Sequence, residues 1–263
     1  MSRIQEAFAK NKKLFIGFVT AGDPDLATTK ELVLAMVKAG VGIVEFGIPF
    51  SDPVAEGPVI QRADLRALEA GTTTDKIFDL VAELRKETQV PLVFLTYANP
   101  IYAYGAEKFF TRCEESGLDG VIIPDIPYEE REEMRPYSEP HKVALVPLVA
   151  PTSRDRIQKI AKIGQGYIYI VSSLGVTGVR KEITTDINAI VEEIRKVTDV
   201  PCAVGFGIAT PDQAYAMAKA SDGAIVGSAI VKIVEKYGTE SPKYVYEYCK
   251  EMVEAVKKAE AEA

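Results

Sequence analysis

The sequence predicts an α/β fold, a (β/α)8 barrel of the TIM type, on three observations. Apolar runs with strand character alternate with amphipathic helical stripes along the whole chain, the signature of βα units. Most of these runs are near-continuously apolar, as strands buried on both faces of a parallel sheet must be. About eight such units fill 263 residues, close to the roughly 250 that such a barrel uses. An open doubly wound sheet is the alternative, but it usually needs fewer strands, and no linker divides the chain. One domain spanning residues 1–263 is expected.

The elements follow in order. Ile4, Ala7 and Phe8 recur at helical spacing, so residues 2–11 are expected to form an extra N-terminal helix covering one end of the fold. Leu14–Thr20 reads as a buried strand that Gly22 and Pro24 break. Leu32, Val33, Met36 and Val37 stripe a helix from Thr28 to Ala39, stopped by Gly40. Ile43–Gly47 is the second strand. Two helices, Val59–Leu68 and Thr74–Lys86, follow its long loop, one more than a βα unit requires.

Pro91–Tyr97 is the third strand, Ala106–Ser116 a helix and Asp119–Pro124 the fourth strand. Tyr128–Tyr137 is acidic and helical, and Lys142–Val149 reads as one strand. Ser153 is placed to cap a helix running to Ile163, with Asp155 near its start. Tyr167–Ser172 is the sixth strand, and Asp186–Val197 a helix. Pro201–Gly207 is the seventh strand, and Thr210 and Pro211 open a helix to Ala220. Asp222–Gly227 is the last strand, followed by two helices, Ser228–Tyr237 and Pro242–Ala261.

Composition narrows the function classes. A net charge of −7 argues against a general nucleic-acid or anionic-membrane binder. It leaves room for a small anion held by backbone N–H groups. Cys113, Cys202 and Cys249 are sparse, odd in number and without CxxC spacing, which argues for a reducing compartment and against a disulfide framework or zinc site. No signal-peptide pattern and no long apolar span is seen, so a cytoplasmic protein is expected. The one histidine, His141, lies in a polar connection and reads as a surface residue. Acid–base chemistry then falls to carboxylates, Lys or Tyr.

Two acids stand out. Glu45 sits inside the apolar second strand, where acids are depleted; it is paired, exposed at an edge, or catalytic. Ile43 and Gly47 share its face, so in a barrel Glu45 is able to point into the mouth, where desolvation raises a carboxyl pKa. Glu56 lies in the loop that follows, where an acid is ordinarily just solvated. The glycines at the ends of strands seven and eight, Gly205, Gly207 and Gly227, with Ser228 opening a helix, suit a phosphate site. The small residues of 172–178 suit a mobile lid, a phosphate-contacting loop or a plain connection.

These residues resemble a known family, the alpha subunit of tryptophan synthase, over essentially the whole chain. The resemblance rests on residues 18–24, 45–58, 96–100, 124–127, 175–178, 205–208 and 227–231; the block Glu45–Pro58 is the most specific. It implies cofactor-free retro-aldol cleavage of indole-3-glycerol phosphate to indole and glyceraldehyde 3-phosphate. Glu45 matches the family's acid–base glutamate, and Glu56 the carboxylate that accepts the indole N–H. Phe18, Leu95 and Ile122 match the apolar indole pocket, and Tyr169 a tyrosine lining the site. Thr177 matches a lid threonine, and Gly178, Gly207, Gly227 and Ser228 the phosphate cradle.

One departure is that the family usually has Asp where Glu56 stands, one methylene shorter. The resemblance also implies a partner, a PLP-dependent beta subunit in an alpha2-beta2 heterotetramer. It would face residues 49–58, 99–104 and 125–127, and indole would pass to it by a tunnel. The rival readings are a stand-alone indole-3-glycerol phosphate lyase, a weakly active alpha chain that serves as allosteric partner of beta, and another sugar-phosphate barrel such as an isomerase or epimerase.

Overall fold

The structure, a computed structural model, describes residues 1–172, 178 and 185–262. Nine short strands form one parallel sheet: β1 (Leu14–Thr20), β2 (Ile43–Gly47), β3 (Leu92–Leu95), β4 (Gly120–Ile122), β5 (Ala144–Leu145), β6 (Leu148–Val149), β7 (Ile168–Val171), β8 (Cys202–Gly205) and β9 (Gly223–Val226). Their order is β5-β4-β3-β2-β1-β9-β8-β7-β6. The two ends of that order are consecutive pieces of one strand. Val146 donates its N–H to Val121 at 3.0 Å, and the Pro147 carbonyl accepts from Tyr169 at 2.9 Å. The ring therefore closes as a barrel of eight.

The expected single strand Lys142–Val149 is thus split. Pro147 has no N–H to offer a ladder, and the pieces on either side pair with one neighbour each, β5 with β4 and β6 with β7.

Strand alternation sorts the side chains into two cores. Ile16, Ile43, Val93, Ile122, Tyr167 and Tyr169 pack inside the barrel. Phe15, Val44, Phe46, Phe94 and Val121 turn outward against the helices. The N-terminal helix, Arg3–Lys10, opens with a reciprocal capping box between Ser2 and Gln5. It places Ile4 and Phe8 in the inner core, with the Phe8 ring 6.3 Å from that of Tyr167. Each such buried side chain contributes about 1.5–3 kcal/mol.

Most helices start where the sequence signals them. Asp25, Thr73, Asp186 and Thr210 cap theirs with side-chain bonds. The expected extra helices are present: Pro58–Glu69 and Thr74–Arg85 after β2, and Ser228–Tyr237 and Ser241–Ala261 after β9. Three details differ. Ser153 sits at the cap position of Arg154–Lys162 but its side chain makes no cap bond. The acidic segment 128–137 is a 3-10 helix, Tyr128–Glu133, followed by a short helix, Arg135–Ser138. A further helix, Ala98–Tyr104, precedes Ala106–Ser116.

Candidate active site

A cavity of about 360 Å³ lies at the C-terminal ends of the strands, the end at which barrels carry their chemistry. Phe18, Glu45, Glu56, Leu95, Tyr169, Gly178, Gly207, Gly227 and Ser228 all line it. Ile122 does not line it. It packs into the inner core, while its neighbours Val121 and Ile123 line the wall, because the cavity extends past the outward-facing side of β4 and β5. Thr177 lies outside the described residues. His141 is elsewhere, beside Glu107 and Glu114.

Glu45 is wholly buried. Its inward direction follows from the pleat, since Ile43 two residues earlier is an inner-core residue. The Tyr167 hydroxyl donates to its Oε1 at 2.5 Å, and Oε2 has no partner among the described residues. Burial raises its pKa from 4.5 to about 7, and the bond from Tyr167 only partly opposes this. The group therefore holds or releases a proton readily near neutrality. Tyr167 itself is pushed well above 10 by its own burial and by the Glu45 charge. In Tyr167→Phe the opposing bond is lost, so the Glu45 titration seen in a pH–rate profile should move to higher pH.

Glu56 is also buried, at 6% exposure, against the ordinary expectation for a loop acid. The loop is pinned over it. Ile48 donates its N–H to the Leu95 carbonyl at 3.0 Å. The Ala55 N–H donates to the Tyr97 hydroxyl at 2.9 Å, and the Gln61 amide to the Glu56 carbonyl at 2.8 Å. The rings of Phe50 and Tyr97 lie 5.6 Å apart. Burial pushes the Glu56 carboxyl up to about 7; the N–H groups of Glu56 and Ala55 pull it down, and the Asp125 charge adds to the rise. Its Oε2 has no partner among the described residues.

Glycines make room for the aromatic lining. A Cβ on Gly47 would stand 2.6 Å from Phe18 Cζ, and one on Gly227 3.2 Å from Phe18 Cδ1. A Cβ on Gly205 would stand 2.2 Å from the Tyr169 hydroxyl oxygen.

The third part of the site is a glycine-flanked helix N-terminus, of a kind suited to an anion. Gly227 is the cap residue of helix Ser228–Tyr237 and supplies no side chain to its first N–H groups, which stay available to a ligand and add the helix dipole. Phe206 and Gly207 both have left-handed φ, 74° and 83°. For a bulky residue this costs on the order of 1–3 kcal/mol and persists only where the surroundings impose it. Here the Ser172 hydroxyl holds the Phe206 carbonyl at 2.5 Å, and the Phe206 ring meets Tyr169 edge-on at 6.2 Å.

Sequence reasoning missed Tyr167, Tyr97 and Phe206. The signal for Tyr167 was present: it lies two residues before Tyr169, on the same strand face.

The sequence model of one protein family, Tryptophan synthase alpha chain, matches residues 4–261. The chain is 50% identical over 256 residues to the tryptophan synthase alpha chain of Lacticaseibacillus casei, covering 97% of this chain and 96% of the relative. It is 52% identical over 226 residues to that of Lactiplantibacillus plantarum, covering 86% of each. The crystal structure of the Legionella pneumophila alpha chain superposes with a TM-score of 0.87 at 33% identity, covering 98% of both chains. A chain from the Pyrococcus furiosus tryptophan synthase a2b2 complex superposes with a TM-score of 0.84 at 33% identity, over 92% of this chain and 98% of that one. With buried acids, an apolar wall and a glycine-flanked helix N-terminus in one barrel mouth, and these matches along its length, the chain belongs to the tryptophan synthase alpha chain family.

Proposed function

We propose that this cavity, in a single (β/α)8 unit spanning residues 1–263, cleaves indole-3-glycerol phosphate with Glu45 and Glu56 as its two working carboxyls. The observation that carries the assignment is that both acids are buried in one cavity wall and both are raised to about 7. Protonated Glu45 gives its proton to indole C3, making the ring cationic. The resulting carboxylate takes the proton of the glycerol hydroxyl next to the ring. The C–C bond then breaks, its electron pair returns to the ring, and the hydroxyl carbon becomes the aldehyde of glyceraldehyde 3-phosphate. A pKa close to the working pH suits a group that must act in both directions.

Glu56 accepts the indole N–H and balances the ring's transient charge. Phe18, Leu95 and Tyr169 bound the ring. The Gly207, Gly227 and Ser228 backbone, with Gly178, receives the phosphate.

The indole passes to a PLP-dependent beta subunit in an alpha2-beta2 assembly. Support comes from the Pyrococcus furiosus relative, whose a2b2 complex shows mutual activation. It comes also from Val54, 70% exposed in the Glu56 loop, and Tyr102, half-exposed nearby in the chain. No helix among the described residues is long and apolar enough to cross a membrane, which fits a cytoplasmic setting. The test is indole release from indole-3-glycerol phosphate, with and without beta subunit. Glu56→Gln should slow it by about 10²-fold or more. An unchanged rate would remove Glu56 from the chemistry, and no wild-type turnover under either condition would overturn the reading.

A further inference from the structure

The cavity has a second lobe, outside the barrel wall. Val121 and Leu145, on the outward faces of β4 and β5, form one side of it. Met134, Ile160 and Ile163, from the segments 128–138 and 154–163, form the other. Side chains here take the place of a neighbouring strand, because β5 pairs only with β4. The Gln165 amide oxygen accepts the Leu145 N–H at 3.0 Å, and the Arg131 guanidinium donates to the Leu145 carbonyl at 2.8 Å. Arg131 is half-buried, and alone among the described arginines it has no ion-pair partner among the described residues. The acids around it are engaged elsewhere. Arg135 holds Glu132 at 2.6 Å and Glu139 at 3.3 Å, and Arg156 holds Glu129 at 2.6 Å. Burial pulls the Arg131 pKa down to about 10, with the charges of Glu132 and Glu139 opposing, so it is still a cation near neutrality.

We propose that this lobe binds a small aromatic carboxylate, its ring between the β4–β5 wall and Met134 and Ile160, its carboxylate on Arg131. A partly desolvated guanidinium without a counterion is costly to keep, and a carboxylate meets it with paired, charge-assisted bonds. Capping one carbonyl does not call for a cation: Gln165 holds the N–H of the same residue with a neutral amide. That carbonyl also uses only one of the five guanidinium donors. Apolar side chains on both sides of the lobe suit an apolar body, and a rigid ring gives up less conformational freedom there than a chain does. Tyr128, Arg131 and Ile163 also line a second, outer cavity with Arg135 and Lys162, so the guanidinium stands between the lobe and the surface. The lobe is separate from the proposed indole pocket, where Phe18, Leu95 and Tyr169 line the cavity. The inference does not depend on what Glu45 and Glu56 catalyse.

Calorimetric titration of the whole chain with naphthoate, and with neutral naphthol as the control, tests this. Wild type should bind naphthoate. Arg131→Gln keeps an amide donor for the Leu145 carbonyl but loses the charge, and should bind naphthoate about 10-fold or more weakly. Naphthol should not distinguish the two. Ile163→Trp fills the lobe from its half-buried rim and should abolish naphthoate binding; it decides the matter if Arg131→Gln melts early. Leu95→Ala, in the inner pocket, should leave naphthoate affinity unchanged. Equal naphthoate affinity in wild type and a folded Arg131→Gln overturns the proposal, as does a wild type that binds no naphthoate. Binding weakened by Leu95→Ala and not by Ile163→Trp puts the ring in the indole pocket and overturns it as well.

Discussion

Glu45→Gln should cost indole-3-glycerol phosphate cleavage about 10²–10⁴-fold and at the same time make the protein more stable in alkali. The rate loss follows from the proposed mechanism, in which both proton transfers pass through one carboxyl. Gln keeps the acceptor for Tyr167 but has no proton to exchange. The stability gain follows from linkage. The carboxyl titrates near 4.5 in the unfolded chain and at about 7 when folded, so between those values the folded state binds the extra proton. Stability contributed by the neutral form is therefore full below about 4.5 and is lost as pH rises through 7. The whole shift is worth about 3 kcal/mol. At pH 8 Glu45→Gln should melt several degrees above wild type, at about 2–4 °C per kcal/mol for a chain of this size. At pH 4.5 the two should melt together. Thermal melts at the two pH values check this, and a Gln variant less stable at both would remove the argument from burial.

The second large effect is expected at a residue with no functional group. Gly205→Ala places a Cβ 2.2 Å from the Tyr169 hydroxyl oxygen and 2.4 Å from its Cζ. The backbone of β8 is fixed by its ladder with β7, so the ring must move. Tyr169 has Phe206 on one side and the cavity on the other, and the cavity is the open direction. Overpacking of this kind costs about 1–3 kcal/mol, and the displaced ring enters the cavity proposed to take indole. Gly205→Ala should therefore lose both stability and cleavage. Because Tyr169→Ala removes the ring that Gly205→Ala displaces, the double variant should be no less stable than Tyr169→Ala alone, which itself loses about 3–5 kcal/mol. A Gly205→Ala enzyme with wild-type KM and melting temperature would show that the ring has room elsewhere.

The barrel was legible because its strands are sheathed on both sides. A strand such as Ile43–Gly47 must be apolar on both faces, and that demand is written in consecutive residues. Glu45 was legible for the same reason, as the one residue in its strand that violates it. The break at Pro147 is less visible, since the apolar run continues straight through it. The helix Ala98–Tyr104 escaped because it is short, contains Pro100 and opens at Tyr97, which supplies no cap bond. The burial of Glu56 could not be read at all. It depends on Tyr97, 41 residues later, whose hydroxyl takes the Ala55 N–H, so only the assembled fold makes a dry site of a polar loop. Ile122 lies on the strand expected for it and packs in the inner core, because which of three consecutive apolar residues meets a cavity is settled by neighbouring elements.

Phe8 touches Tyr167, and Tyr167 holds the carboxyl of Glu45. The helix Arg3–Lys10 thus stands one residue removed from the acid, at the opposite end of the barrel from the substrate. That helix is thus part of the dry packing around Tyr167, and it is dryness that lifts the Glu45 carboxyl.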